Sequence, residues 1–596
     1  MAGPELVLEQ PSQRKTEIRS ELDLLIPYQR TTEFVGRGKE LESLRAWLES
    51  EAAISVRVVT GHGGSGKTRL AVELLEWLAG AEPQQWNCGF LTPAEMERFS
   101  GLHNLSQWGR RKPMLAVVDY AAGSAGRLRV WMEQLAAAEH EGEKLRLLLL
   151  EREASLEAGW LASVISYGYS AAAVRALLDP LEPVRLDTLA EAADRRSVLR
   201  ATVKAGAALR GVTAPAVPAK GADALFDWTL EESRWGDPLT LMMAGLNALD
   251  TGLVPAMALG RPDLALWLAD RERDRIERFD RGAPPGLMAH MAACVTVSGG
   301  LAREELQGAA RVESEATGRV HPGGWGMLAD RVAEALGGGQ GARAVGPDVI
   351  GEALLLGVWG GTEVREGCKA VARAAKARGQ QVAASVVRAA QDFCVGATPR
   401  SEPLEWLDTL LAEGKHDLRL LWQIEGALPH HTLALRGRTV EVDAMLAAAL
   451  RDRAHADQDA RAARAGVLGN LGVRLGALGR REEALQAVDE AVRLYRQLAA
   501  QRRDDLLPGL ATSLGAKGAV LREVGNAAKA AATFREGVEL LKPLFLRSPE
   551  AFRPLTGNLV IDYLQACETV GLEVDSALLG DLLPLLSDDQ APFAEP

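Results

Sequence analysis

Through the first third of the chain, short β-branched or aliphatic runs alternate with stretches whose apolar residues recur at helical spacing. The clearest run is Ile54–Thr60, ISVRVVT, which ends in glycines and gives way to Leu70, Leu74, Leu75 and Leu78 on one helical face. Runs of the same kind recur at 88–91, 114–119, 145–150 and 184–186. Strands that alternate with helices pair in parallel and are covered on both faces, so the pattern predicts a parallel α/β core. Leu41, Leu44, Trp47 and Leu48 predict a helix just ahead of the first strand. Beyond about residue 188 the strand signal fades, and nearly everything left is written as helix.

Two later stretches add detail. Between Met288 and Ala333 a helix, MAHMAACVTV, is followed by Gly299-Gly300, a second helix from Ala302 and an irregular Gly- and His-containing segment, the pattern of a winged-helix unit. Gly337 to Gly341, GGGQG, then reads as a loop between helices. Near the C-terminus, LGVRLGALGRREEALQAVDEAV aligns on KGAVLREVGNAAKAAATFREGV, placing Gly472 on Gly518, Leu475 on Leu521, Gly479 on Gly525, Ala484 on Ala530 and Val488 on Phe534. The glycines at 479, 525 and 571 recur every 46 residues, while Gly437 fits the register one period earlier weakly. Small residues where two helices touch, flanked by larger apolar ones, are what stacked helix pairs require. At the other end, Pro4, Pro11 and Pro27 interrupt residues 1–32, which read as a leader packed on the next domain.

Composition narrows the class. At 596 residues, 47% hydrophobic and 25% charged, the chain is globular and too long for one core. A net charge of −12 does not favour nucleic acid as a partner. Cys88, Cys294, Cys368, Cys394 and Cys567 form no metal-spaced pair, which suits a reducing compartment. No apolar run approaches the roughly 20 residues that span a bilayer, so a cytoplasmic protein that is not membrane-bound is expected.

The candidate chemistry begins at Gly61-His62-Gly63-Gly64-Ser65-Gly66-Lys67-Thr68, which fits GxxxxGK[ST] between a predicted strand and a predicted helix. Its glycines let successive N–H groups turn inward on a β-phosphate, and the helix N-terminus adds favourable dipole charge. Lys67 is expected to reach the β- and γ-phosphates and Thr68 to put its hydroxyl on Mg²⁺. Asp119 ends the apolar run 114–119 and is expected to hold the same ion, or else to cap the following segment. Tyr120, Ala121 and Ala122 follow it, where hydrolysing relatives place a second acid, so fast turnover is not expected. Glu151 is either that acid or a solvated strand-end charge, and Arg152 beside it is better placed to touch a γ-phosphate.

Taken in order, EFVGRGKELESL (33–44), the phosphate loop, VVDYA (117–121), LLLLERE (147–153), WGDPLTLMMAGLNAL (235–249) and PDVIGEALL (347–355) resemble a bacterial STAND-type signalling ATPase, in the group of apoptotic and immune-receptor ATPases, over residues 30 to 360. The C-terminal segment resembles tetratricopeptide repeats. The resemblance implies a multidomain α/β plus α protein: the leader (1–32), a P-loop NTPase core (33–187), a helical lid (188–255), a winged-helix domain (256–355), a helical linker (356–440) and tetratricopeptide-like repeats (441–596). It implies that Val35, Gly36 and Arg37 lie beside the adenine and phosphates, that Arg69 belongs to the nucleotide site, that Pro238 packs on the adenine from the lid, and that Arg152 reads the γ-phosphate. Pro238 is equally a simple helix start. His321 is the candidate winged-helix histidine for the β-phosphate, although Met-His-Asp is absent. The cofactors implied are ATP or ADP with Mg²⁺, and the ATPase activity is slow. The partners implied are a separate effector protein, a protein or peptide trigger met by the repeats, and further copies of the chain on activation, in a setting such as antiphage defence. A transcriptional regulator of the same class, or a P-loop kinase with a scaffold, is the alternative.

Overall fold

The structure is a computed structural model in which residues 5–15, 17–80, 85–138, 142–156, 159–165, 171–339, 341–396, 398–429, 432, 434–500, 506–547 and 549–587 are described. Pro4 of the leader and Gln340 of the GGGQG loop lie outside the described residues. The chain divides into one unit made of 1–128, 138–155 and 178–434, and another made of 129–137, 156–177 and 435–596. Among the described residues no helix is long and apolar enough to cross a membrane.

The first unit is built on five parallel strands, β1 (Ile54–Thr60), β2 (Asn87–Phe90), β3 (Met114–Asp119), β4 (Leu145–Glu151) and β5 (Val184–Arg185), in the order β2-β3-β4-β1-β5. All seven residues of β1 are buried, as expected of a strand covered on both faces. Helices α1 (Gly38–Glu49) and α2 (Lys67–Ala79) cover one face, where Leu44, Trp47, Leu70, Leu74 and Leu78 share a core with Val59, Val117 and Leu148. Fully buried Arg146 on β4 donates to the carbonyls of Trp47 in the last turn of α1 and of Ser50 and Ala52 just past it, which satisfies a charge inside an otherwise aliphatic strand. The leader covers the β2 edge: Glu9 and Phe90 exchange two backbone hydrogen bonds, with Leu6 and Leu8 buried beside them. An edge strand paired in this way offers no free ladder for another chain to extend.

Helices continue the unit as α3 (Ala192–Arg210), α4 (Pro238–Thr251), α5 (Arg261–Phe279) and α6 (Leu287–Val297). Gly206 and Gly245 let α3 and α4 approach closely, since a Cβ on Gly206 would lie 2.8 Å from Leu246. Next come β6 (Leu301–Ala302), α7 (Arg303–Thr317), α8 (Gly324–Leu336), β7 (Gly341–Ala342), α9 (Asp348–Trp359) and α10 (Val364–Phe393), which is kinked at Arg378. β6 and β7 pair antiparallel, so Gly341 is a strand residue rather than the end of a loop between helices. Only glycine fits there, because a Cβ would overlap the Leu301 carbonyl. A strand of two residues has no periodicity from which to read it.

In the second unit α11 (Arg436–Ala449) precedes the pairs α12 (Gln458–Ala477) with α13 (Arg481–Ala499) and α14 (Leu507–Glu523) with α15 (Ala527–Arg547), followed by α16 (Pro549–Val570). α12, α14 and α16 stop at Gly479, Gly525 and Gly571, whose φ values of 74°, 80° and 64° lie in the left-handed region. In each case the following N–H returns to the carbonyl five residues back, from Arg480 to Leu475, Asn526 to Leu521 and Leu572 to Cys567. The repeat is therefore one helix stop made three times. Its packing also repeats: Gly472 faces Val488 and Gly518 faces Phe534, with a Cβ on Gly518 falling 2.5 Å from the ring.

That geometry decides the sign of a substitution. Alanine is the better helix former by roughly 0.5–1 kcal/mol, but overpacking a filled core costs about 1–3 kcal/mol, and the fully buried Phe534 ring has no room to retreat. Gly518→Ala is expected to destabilise the repeat unit, whereas Gly469→Ala, whose Cβ would meet nothing closer than Ser513 Oγ at 3.7 Å, is expected to stabilise it. Denaturant midpoints of the two variants should move in opposite directions.

Candidate functional site

The strand order puts β4 between β1 and β3, so its C-terminal end lies between the phosphate loop after β1 and Asp119 at the end of β3. Thr60 pairs with Glu151 across the ladder, and Gly61 N–H donates to the Arg152 carbonyl at 3.2 Å. The loop turns at Gly64 and Gly66, with φ of 90° and 97°, and the latter directly precedes α2. A side chain at Gly63 would come within 2.9 Å of Arg152 Nη2, and one at Gly64 within 2.8 Å of Asp237. The glycines thus serve close approach as well as backbone conformation.

Lys67 Nζ donates to the Gly61 carbonyl at 2.5 Å and the His62 carbonyl at 3.1 Å. Thr68 Oγ1 donates to Asp119 Oδ2 at 3.0 Å, which brings together two oxygen ligands of the kind Mg²⁺ prefers. Burial, aided by the nearby Arg152 charge, lowers the Lys67 ammonium to about 8. Burial raises Asp119 to about 6, against the pull of Thr68 and Lys67.

Arg152 is the most heavily engaged cation of the site. Its Nη1 donates to Asp392 on α10 at 3.2 Å, and its Nη2 lies 3.7 Å from Asp348 and 3.6 Å from Glu352 on α9. Arg388 on α10 shares Glu352 at 3.0 Å and Asp348 at 3.4 Å, and Tyr120 Oη donates to Asp348 at 2.9 Å. Burial disfavours the Arg152 charge, but Asp392, Glu352 and Asp348 outweigh it and raise its proton affinity. Burial and the adjacent Asp392 raise the Glu352 carboxyl, whereas Arg152 holds Asp392 low.

The other candidates divide. Arg37 is buried and donates to the Ser65 carbonyl at 3.1 Å and to the Asp187 carbonyl, tying the loop to the chain beyond β5. Half-buried Val35 precedes exposed Gly36, whose left-handed turn abuts Asp194 at the start of α3. Half-buried Pro238 is the first residue of α4, with Asp237 as its cap. Arg69 is taken by Glu73 at 2.9 Å and the Thr32 carbonyl at 2.9 Å, so it fastens α2 to the leader. His321 holds Asp280 at 2.9 Å and accepts from Gly323 N–H at 2.9 Å, so its ring is committed to the turn before α8. Half-buried Glu151 accepts from Ala122 N–H at 3.0 Å and Arg152 N–H at 2.7 Å.

Residues that the sequence reading passed over complete the site. Arg261, at the start of α5, donates to the Gly63 carbonyl at 2.7 Å and to Asp237 at 2.6 Å. Asp348 with Glu352, and Arg388 with Asp392, each sit one helical turn apart, and charges in so apolar a run as DVIGEALLL were the available signal. A grouping of His290, Cys294 and Glu313 lies elsewhere, but Trp359 donates to His290 Nδ1, the His290 Nε2 faces Glu313, and Arg373 holds Glu313, so these groups satisfy one another.

Four buried polar atoms around the loop lack a hydrogen-bond partner among the described residues: Ser65 Oγ, Arg152 Nε and Nη2, and Arg261 Nε. Buried donors are normally satisfied, and three guanidinium nitrogens beside a glycine-lined loop fit an anion. The residues present therefore suit a polyphosphate, with Lys67, Arg152 and the loop amides as its holders and Thr68 with Asp119 as ligands of Mg²⁺.

No protein-family model matches the chain, and no curated protein matches it in sequence. Among solved structures it is similar to Cdc6p from Pyrobaculum aerophilum, at 13% identity over 56% of this chain and 98% of that one, with a TM-score of 0.26. It is also similar to a Signal Transduction ATPase with Numerous Domains (STAND) protein with a tetratricopeptide repeat sensor from Pyrococcus horikoshii, at 12% identity over 93% of this chain and 85% of that one, with a TM-score of 0.22. At those scores neither superposition carries an argument.

The two perturbed groups set an expected pH profile. A Mg²⁺ ion on Asp119 would require its carboxylate, whose proton is held more tightly than in an unfolded chain, so affinity is expected to fall as pH drops through about 6. A phosphate needs the Lys67 ammonium, whose proton is held less tightly, so affinity also falls as pH rises through about 8. Titrating labelled ADP with Mg²⁺ from pH 5 to 9 should give a bell; Asp119→Asn should remove the acid limb and Lys67→Arg the alkaline one.

Proposed function

We propose that this chain is an ATP- and Mg²⁺-dependent conformational switch of the STAND signalling type. The observation that supports it most directly is that Arg152, next to the phosphate loop, is held by carboxylates from α9 and α10. ATP brings a γ-phosphate that competes for that guanidinium; ADP does not. A ligand shifts an equilibrium only through differential contact with its two states, and Arg152 supplies that difference. In this reading residues 188–255 are the lid, residues 256–355 are the winged-helix domain, Val35, Gly36 and Arg37 lie beside the adenine and phosphates, and Pro238 packs on the adenine from the lid.

The rest of the reading comes from the resemblance. The helical repeats receive a protein or peptide trigger, opening permits exchange of ADP for ATP, and the ATP form assembles with further copies to control a separate effector. Antiphage defence is a setting that suits such a device. The absence of an acid after Asp119, and the engagement of Glu151 by two backbone amides, suit slow hydrolysis. A purified chain with no affinity for adenine nucleotides in the presence of Mg²⁺ would sink the proposal.

The lock itself is testable. Asp348→Asn with Asp392→Asn is expected to shift the ratio of ATP to ADP affinity toward ATP by about tenfold, within the usual range of coupling between states, and to let the ATP-bound chain self-associate without a trigger. Competition binding and light scattering read the two effects. An unchanged ratio in a folded double variant would show that these carboxylates do not compete with the γ-phosphate.

A further inference from the structure

In the unit that holds the helical repeats, a cavity of about 320 Å³ opens between Arg451, the short helix Arg453–Ala456, α12 and α13. Arg451, His455, Arg461, Arg464 and Arg493 line it, with Glu490 as the one acid. The spacing explains the convergence: Arg461 and Arg464 are neighbours on one face of α12, and Glu490, Arg493 and Gln497 lie on successive positions of one face of α13.

The charges do not cancel. Arg464 Nη1 meets Glu490 at 2.8 Å, and Arg493 reaches the same carboxylate only at 3.4 Å. Arg461 is fixed by carbonyls, with Nε on Ala454 at 2.9 Å and Nη2 on His455 at 3.3 Å, which orient its charge without neutralising it. Arg464 Nε is likewise on the Ala447 carbonyl at 3.0 Å. Four guanidinium groups therefore line a cavity with one carboxylate among its described lining residues, and of these only Arg464 and Arg493 pair with it, in a chain whose net charge is −12. Two of them are positioned in advance; Arg451 is exposed, and Arg493, 58% exposed, is held only by its 3.4 Å contact with Glu490. Guanidinium groups arranged in this way match phosphoryl oxygens bidentately. The volume is at the small end of ligand pockets, and only Ala454 and Leu494 offer apolar lining, so there is room for phosphoryl groups but little to hold a base.

We infer that this cavity is a second anion site, separate from the phosphate loop, which takes a small phosphorylated or diphosphate ligand. Two sites should appear when the full chain is titrated with pyrophosphate without Mg²⁺. Lys67→Ala should leave one of them and Arg451→Gln with Arg493→Gln the other, the removal of two charge-assisted contacts weakening the cavity site by about tenfold or more. Arg451→Lys with Arg493→Lys keeps the charge and should restore binding only in part, which separates bidentate recognition from a diffuse positive field. Circular dichroism checks that each variant is folded; because Arg451 and Arg493 face solvent, their replacement leaves the helix core intact. One site in the wild-type chain, or two in the arginine-to-glutamine variant, would overturn the inference. So would binding of an acidic hexapeptide where pyrophosphate fails to bind, since that would assign the cavity to a protein partner.

Discussion

A guanidinium buried at the end of a strand must be answered by negative charge, and the first unit is organised around how Arg152 is answered. Its side chain is 13% exposed and lies against Gly63, so water cannot carry the charge alone. The answer comes from Asp348, Glu352 and Asp392, which reach it from helices about 200 and 240 positions along the chain. Arg388 enters the same cluster with a second positive charge, so three acids face two guanidinium groups. The cluster is electrically close to balanced, which makes it sensitive to any further anion brought to the loop.

The loop is held from its flanks as well. Arg37 takes the Ser65 carbonyl, Arg261 takes the Gly63 carbonyl, and Lys67 takes those of Gly61 and His62. All of these use carbonyl oxygens of the loop, while the Gly61 and Ser65 amides donate to the Arg152 and His62 carbonyls. Arg261 is joined through Asp237 to the cap of α4, so the elements that steady the loop are also the elements that follow the sheet. Contacts thus run from the loop to α4 and α5 through Asp237 and Arg261, and from the strand end beside it to α9 and α10 through Arg152.

What could be read from the sequence were features carried by neighbouring residues. The five strand runs, the phosphate loop and the helix after it depend on local pattern, and the 46-residue repeat declares itself because Gly472 with Val488 and Gly518 with Phe534 form the same contact twice. The hidden part depends on distant segments meeting. Arg69 and His321 have the right chemistry for a phosphate site, but Glu73 and Asp280 claim them, which no motif spacing reveals. Arg261, Asp237 and the acids of α9 and α10 join the site only because helices fold back on the strand ends. Even there a trace remained, since an acid in an apolar helical run must be paired with something.

The contrast between the two arginine-rich places bears on how each treats an anion. Around Arg152 the counter-charges are already built in, so a phosphate gains that guanidinium only by displacing carboxylates that hold α9 and α10, and binding there entails a rearrangement. In the repeat unit a single carboxylate, Glu490, faces four guanidinium groups, and Arg461 and Arg464 are already oriented by carbonyls. An anion entering that cavity finds charge waiting and little to displace. On the proposed reading, occupancy of the first site would be coupled to shape and to the identity of the nucleotide, whereas occupancy of the second would depend on ligand concentration with little cost in structure.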